Sequence, residues 1–128
     1  MSAFNSQAAF TDQCVYSTAA GGSGFTLTLP AAANAQHAIT CIQLYRSATA
    51  ALAGTASLTV TTTNLPGSPS WVVGNVMAAG GTQIDIDTVF SPPLVSSVAG
   101  TATTFVVPAP GAAVLWNMRV FYYLAQSL

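Results

Sequence analysis

Residues 112–123 read AAVLWNMRVFYY and form the longest β-strand that the sequence predicts. Successive side chains of a strand point to opposite faces, and this run would span about 40 Å when extended. One face would carry Val114, Trp116, Met118, Val120 and Tyr122. The other would carry Leu115, Asn117, Arg119, Phe121 and Tyr123. Because both faces are largely apolar, we expect this strand to be central in its sheet or partly covered by a partner.

Shorter β-rich runs, each followed by turn residues, fill the chain before this strand. We expect strands over 14–18, 25–29, 36–46, 56–63, 71–77, 83–87 and 103–107. Turns are predicted at 19–24, 64–69, 80–81, 91–93 and 108–111, where Gly, Pro, Asn and Ser cluster. About eight strands at this spacing predict an all-β fold of two antiparallel sheets packed as a sandwich, and specifically a jelly roll.

Three local features qualify this pattern. Ile39 is out of phase with Ile42 and Leu44, which predicts a β-bulge between them. Gly74 is a second candidate bulge, within 71–77. The Ala-rich run 48–53 is the best helix candidate, although it is too short to be stable alone.

The chain divides into an N-terminal arm, residues 1–13, and a single sandwich domain, residues 14–128. The residues of the arm are mostly small or polar, and Phe4 and Phe10 are its two aromatic side chains. We expect them to anchor the arm to a partner.

Charge is scarce, because the 128 residues include only two Arg, three Asp and no Lys or Glu. Two arginines cannot neutralise many phosphates, so we expect no nucleic-acid partner.

The most apolar stretch, 112–125, is interrupted by Asn117 and Arg119, so we expect no membrane span. Sixteen Thr and twelve Ser supply most of the polarity. Copies with so little charge repel each other weakly, which favours association into a homo-oligomer, a dimer or a trimer.

Groups that carry catalysis are equally scarce, so we expect no enzyme, cofactor or metal site. His37 lacks the G-x-S-x-G context of a nucleophile elbow, which predicts an ordinary hydrogen-bonded strand residue. Asp85 and Asp87 would share one side of a strand, opposite Ile84 and Ile86. Two such carboxylates could bind Ca²⁺ or act as acid and base, but no calcium loop surrounds them. We expect a solvent-facing strand edge that discourages aggregation.

Two further sets of residues leave alternatives open. Cys14 and Cys41 are expected to be buried free thiols, with a disulfide as the alternative. Five aromatic side chains could pack in the core or form a surface for a sugar or a protein partner. They are Tyr45, Trp71, Trp116, Tyr122 and Tyr123. Tyr122 and Tyr123, with Phe4 and Phe10, are the predicted interface residues.

The run from residue 55 to 128 resembles small virion proteins of tailed bacteriophages. It combines the Thr-rich strand TASLTVTTT, the turn NLPGSPSW, a Pro-Pro break before SVAGTATT, and the long aromatic C-terminal strand. The upstream run HAITCIQLYRSATAALAG is similar to a strand and connection of this type. The resemblance is to capsid decoration, or cement, proteins of the small β-sandwich or jelly-roll type. It carries over no active residues.

The resemblance implies a decoration subunit that binds the major capsid protein on the outside of a phage head, after synthesis in the host bacterial cytoplasm. The alternative is a carbohydrate- or receptor-binding sandwich on a tail or fibre. The two differ in where the aromatic side chains lie, because exposed rings along a groove favour sugar binding and buried rings favour cement. A coat protein is disfavoured because the chain has no basic arm.

Overall fold

A computed structural model describes residues 13–18, 22–53, 57–74, 76–111 and 113–126. These residues form ten β-strands and no helix. The strands are β1 (Gln13–Thr18), β2 (Phe25–Leu29), β3 (Ala35–Ala48), β4 (Leu52–Ala53), β5 (Leu58–Thr63), β6 (Trp71–Val73), β7 (Val76–Met77), β8 (Thr82–Val95), β9 (Thr103–Val107) and β10 (Val114–Gln126).

Eight of these strands form two four-stranded antiparallel sheets, ordered β1-β10-β3-β8 and β2-β9-β5-β6. The chain pairs from its ends inward: β1 with β10, β2 with β9, β3 with β8, and β5 with β6. This nested pairing is a long hairpin folded over on itself, which is the jelly-roll topology. The short ladder of β4 and β7 lies outside both sheets. The all-β sandwich prediction is therefore confirmed.

The core lies between the sheets and receives the alternating apolar residues of both. From β10 it takes the whole predicted face, namely Val114, Trp116, Met118, Val120 and Tyr122, all buried. The opposing sheet contributes Leu27, Leu29, Val60, Phe105 and Val107. β10 lies between β1 and β3, as predicted for a central strand.

The predicted bulge near Ile39 is present and keeps β3 in phase with the core. Phe121 pairs with Cys41 while Tyr122 pairs with Ile39, so Thr40 is the extra residue. Its hydroxyl donates to the Phe121 carbonyl at 3.1 Å. Ile39 and Ile42 can therefore both be buried although three positions separate them.

Three local predictions fail for identifiable reasons. The helix predicted over 48–53 does not form, because the Ala48 carbonyl accepts from the Gly80 N–H and Leu52–Ala53 pairs with Val76–Met77 as a strand. The strand predicted over 71–77 divides at Gly74 into β6 and β7, which join different sheets. The break predicted at 91–93 lies inside β8. Residues 90–93 have no partners on β3, and only Thr40 lies opposite them. The Ser91–Pro92 bond is cis.

The N-terminal arm was predicted to end at residue 13, but Gln13 is already part of β1, where it pairs with Tyr122. Residues 1–12, including Phe4 and Phe10, lie outside the described part of the chain.

Asn64 joins the turn after β5 to the connection between β8 and β9. Its amide nitrogen donates to the carbonyls of Val98 and Thr101, and its side-chain oxygen accepts from the Val98 N–H. Its φ is +57°, in the left-handed region that Asn tolerates better than most residues.

We predict that Asn64→Ala destabilises the fold by about 2–3 kcal/mol. The substitution removes these hydrogen bonds, and alanine tolerates the left-handed backbone at this position less well than asparagine does. Asn64→Gly removes the same bonds without the backbone strain, so it should cost less. Urea unfolding of both variants measures the difference. Equal stability of Asn64→Ala and the unmodified protein would show that the Asn64 hydrogen bonds do not stabilise the fold.

Candidate functional site

A buried ion pair sits at one end of the sandwich, where it removes two of the five charges from the surface. The guanidinium of Arg46 on β3 donates to both carboxylate oxygens of Asp85 on β8, at 2.7 and 2.8 Å. The Arg46 and Asp85 side chains are 0% and 1% exposed. Arg46 also donates to the Gly74 carbonyl and lies 5.0 Å from the ring centroid of Trp116. Gln83 donates to Asp85 at 2.8 Å.

A β-bulge causes this inward turn of Asp85. Leu44 pairs with Ile86 and Tyr45 pairs with Ile84, so Asp85 is an extra residue on β8. Beyond the bulge the alternation reverses, and Ile84 is 61% exposed while Ile86 is buried. The prediction that Asp85 faces solvent and that the two isoleucines share a face is wrong. Asp87 is exposed and β8 is an edge strand, as predicted.

His37 is a hydrogen-bonded strand residue, as predicted, and the structure also shows that it is buried and that both ring nitrogens have a partner. Nε2 lies 2.8 Å from the Pro30 carbonyl, and Nδ1 lies 2.8 Å from the Thr103 hydroxyl. Because a carbonyl can only accept, Nε2 carries a proton and donates to Pro30. The ring holds the β2–β3 connection against β9.

The described residues contain no group of three His, Cys, Asp or Glu side chains that could hold a metal ion. Nor do they include a helix long and apolar enough to cross a membrane.

The outer surface of the β1-β10-β3-β8 sheet, which we call the outer β3 face, mixes apolar and charged residues in cross-strand rows. Directly paired residues of antiparallel strands point to the same side. One row is Tyr16, Arg119, Gln43 and Asp87, and the next is Cys14, Phe121, Cys41 and Val89. A third row contains Asn117, Tyr45 and Ile84. Val89 is 73% and Tyr16 51% exposed, so large apolar groups remain in solvent on this face.

The outer surface of the β2-β9-β5-β6 sheet is a threonine face. Thr26 and Thr61 flank Val106, and Thr28 and Thr63 flank Thr104. Thr59 lies beside Val72, which is 67% exposed. The hydroxyls of Thr63 and Thr104 lie 2.6 Å apart. The face therefore presents neutral hydroxyl and methyl groups and carries no formal charge among its described residues.

Both cysteines are free, as predicted, but they are not buried. Cys14 is exposed and Cys41 half-buried. They lie on either side of Phe121, two strand spacings or about 10 Å apart, which exceeds the reach of a disulfide. Burial, and then the negative charge of Asp87, raise the pKa of the Cys41 thiol above its usual range.

The predicted interface residues separate in the structure. Tyr122 lies in the core, 2% exposed, where its hydroxyl donates to Gln13 and burial raises its pKa. It therefore packs inside the sandwich and presents no surface to a partner. Tyr123 is half-buried and belongs to the outer side of β10. Its interface role, and those of Phe4 and Phe10, stay predictions.

Of the remaining aromatics, Trp116 is buried and Trp71 packs against the core, while Tyr45 lies half-buried on the outer β3 face. Tyr16 is the exposed aromatic that the sequence reasoning missed. Its hydroxyl donates to Asn117 at 2.6 Å, and the Arg119 guanidinium lies 5.4 Å from its ring centroid. Only the pairing of β1 with β10, which the sequence does not reveal, brings these groups together.

No protein-family model matches the chain, and no curated protein sequence matches it. Among solved structures it is similar to the coat protein of Tobacco streak virus, with 8% identity, a TM-score of 0.38, and coverage of 91% of this chain and 88% of that one. It is also similar to a chain in the structure of infectious bursal disease virus Gx strain, with 17% identity, a TM-score of 0.24, and coverage of 93% and 37%. Similarities at this level do not determine a function.

We predict that Asp85→Asn destabilises the fold by about 3–5 kcal/mol, because it leaves the buried Arg46 charge uncompensated. Asp87→Asn is the matched control, since the same change at an exposed position two residues away should cost less than about 0.5 kcal/mol. The double variant Arg46→Met with Asp85→Leu removes both charges and should recover most of the loss. Chemical denaturation distinguishes these outcomes, and equal stabilities of the two Asn variants would refute the buried pair.

We also predict that Asp87→Asn makes Cys41 react faster with iodoacetamide near neutral pH. Loss of the neighbouring negative charge lowers the raised pKa of the thiol and increases the thiolate fraction. The pH–rate profile, measured in a Cys14→Ser background, should move to lower pH. An unchanged profile would mean that Asp87 does not act on Cys41.

Proposed function

We propose that the chain is a non-enzymatic structural subunit of a virion, and specifically a decoration or cement protein on the outer surface of a bacteriophage capsid. It would bridge neighbouring copies of the major capsid protein and add buried area across their junctions. The observation that carries the proposal is the chemistry of the surface. With Arg46 and Asp85 paired inside, Arg119 and Asp87 are the only formally charged side chains on the described surface.

Such a surface favours binding to other proteins over remaining as separate molecules in solution. Charge of either sign keeps ordinary soluble proteins apart, and its absence promotes association. Val72, Ile84, Val89 and Val98 are all more than half exposed, so apolar area is available to a partner on both sheets and on a loop. The single exposed Arg also supports the expectation that the chain binds no nucleic acid.

We assign the contact with the capsid to the threonine face. Threonine offers a methyl group for apolar contact and a hydroxyl that can donate and accept, so a neutral lattice surface can be matched without burying a charge. Each subunit needs only a modest interface, because a molecule that touches several copies of a repeating lattice gains avidity. Jelly rolls occur in viral capsid proteins and in lectins, so the fold alone does not choose between these roles.

The positions of the aromatic side chains favour cement over the alternative of a carbohydrate- or receptor-binding module. Sugar binding uses exposed rings as a stacking platform. Here Trp116 and Tyr122 are buried and Trp71 packs against the core, and Tyr16 is the one aromatic side chain of the described residues that is more than half exposed.

We predict that virions keep this protein when washed from low salt up to about 1 M NaCl, a range over which the screening length falls to about 3 Å and charge-held partners detach. Apolar contacts and neutral hydrogen bonds do not weaken through screening. The measurement is the number of copies per particle after each wash. Progressive loss with rising NaCl would show that charges hold the protein.

A pair of variants tests the assigned face in the same assay. Thr61→Lys places a charge at the centre of the threonine face and should reduce the copies per particle. Ala33→Lys adds the same charge in the β2–β3 connection, outside both sheet faces, and should leave the number unchanged. Equal numbers of copies per particle for the two variants would show that the threonine face does not contact the capsid.

A further inference from the structure

The two surface charges of the described chain belong to one row of the outer β3 face. Arg119 on β10 and Asp87 on β8 both pair with Gln43 on β3, which lies between them. They are two strand spacings apart, about 10 Å. The Arg119 guanidinium lies beside the Tyr16 ring on the far side of β10, so it is directed away from Asp87. Each charge thus faces solvent without the other as its partner.

This arrangement is self-complementary under one symmetry operation. If a second copy is laid face to face with a two-fold axis parallel to β3, each β3 lies over the other β3 and each β10 lies over the other β8. The rows keep their positions along the axis. Arg119 then faces Asp87 of the second copy, and Asp87 faces its Arg119, which gives two reciprocal ion pairs. Such reciprocity is the property of an isologous dimer interface.

The neighbouring row that contains Phe121 and Val89 fits the same operation. Phe121 on β10 falls opposite Val89 on β8 of the second copy, so two apolar groups meet. In the third row Asn117 falls opposite Ile84. An axis running across the strands would instead lay β10 over β10 and β8 over β8, which brings no opposite charges together.

We propose that the outer β3 face is the interface of a two-fold symmetric homodimer, with its axis along β3 and reciprocal Arg119–Asp87 pairs. Sheets that pack face to face keep their strands within about 30° of each other, which this axis allows. Three strands of each copy overlap under this axis, β10, β3 and β8, and at the usual spacing and about 30 Å of length they offer about 430 Å² on each copy. The total of about 860 Å² is in the size range of weak, reversible interfaces, so the opposite charges carry the proposal more than the area does. The dimer is a property of the isolated protein and does not depend on the capsid-binding role.

The axis also places Cys41 opposite its own symmetry mate, because β3 lies on the axis. Packed sheets are about 10 Å apart, too far for a direct disulfide but within reach of a short bis-maleimide. Cys14 on β1 falls beyond the β8 edge of the second copy. In the isolated protein, Cys14→Ser should therefore cross-link to a dimer through Cys41, and Cys41→Ser should cross-link poorly. The reverse order would overturn the axis.

Charge reversal tests the pairs by sedimentation equilibrium of the isolated protein. Asp87→Arg and Arg119→Asp should each raise the dimer Kd by about tenfold or more, because each puts like charges face to face at both ends of the row. The double variant restores opposite charges and should return the Kd to near that of the unmodified protein. Both positions are exposed, and circular dichroism confirms that each variant is folded. An unmodified protein that is monomeric or trimeric, singles that dimerise normally, or a double variant that does not recover would each overturn the proposal.

Discussion

The β3–β10 ladder is the constraint on which the sandwich depends. These two strands are the inner pair of the first sheet, and together they supply seven of the fifteen buried residues of the main core cluster. A slip of one residue would turn Trp116, Met118 and Val120 to solvent and bring Asn117 and Arg119 inside. The bulge at Thr40 makes the register consistent along the whole ladder, because it lets the residues on both sides of it keep their apolar groups inward.

The second bulge, at Asp85, links the fold to the surface that the protein presents. It lets a carboxylate from an edge strand reach Arg46, whose side chain points into the sandwich from β3. A buried pair of this kind adds little net stability compared with apolar residues, but removing one partner is costly. Its effect on the exterior is simpler. Two of five charges are withdrawn, and the remaining surface is nearly neutral.

Local alternation was enough to predict much of the fold. The buried face of β10, the Thr40 bulge, the edge position of β8 and the strand role of His37 all follow from residue type and period. What failed depends on long-range contacts. Nothing near Asp85 in the sequence indicates that Arg46 is its partner, and nothing in 71–77 shows that Gly74 turns its carbonyl toward the same guanidinium.

The composition of the two outer faces could not be predicted from the sequence, because it too depends on long-range strand pairing. Thr26, Thr61 and Thr104 belong to different strands, and only the nested pairing of the jelly roll places them on one surface. Likewise, Arg119 and Asp87 become members of one row only through the registers of two ladders. Tyr122 was expected at an interface because tyrosine often is found there, whereas the phase of β10 buries it.

A reconstruction of the intact virion by electron cryomicroscopy tests the capsid role most directly. Our account predicts discrete density for this jelly roll outside a continuous shell of another protein, at junctions between its subunits, with the β2-β9-β5-β6 sheet turned toward the shell. Density for this chain in the continuous shell itself, or confined to a tail or fibre, would contradict it.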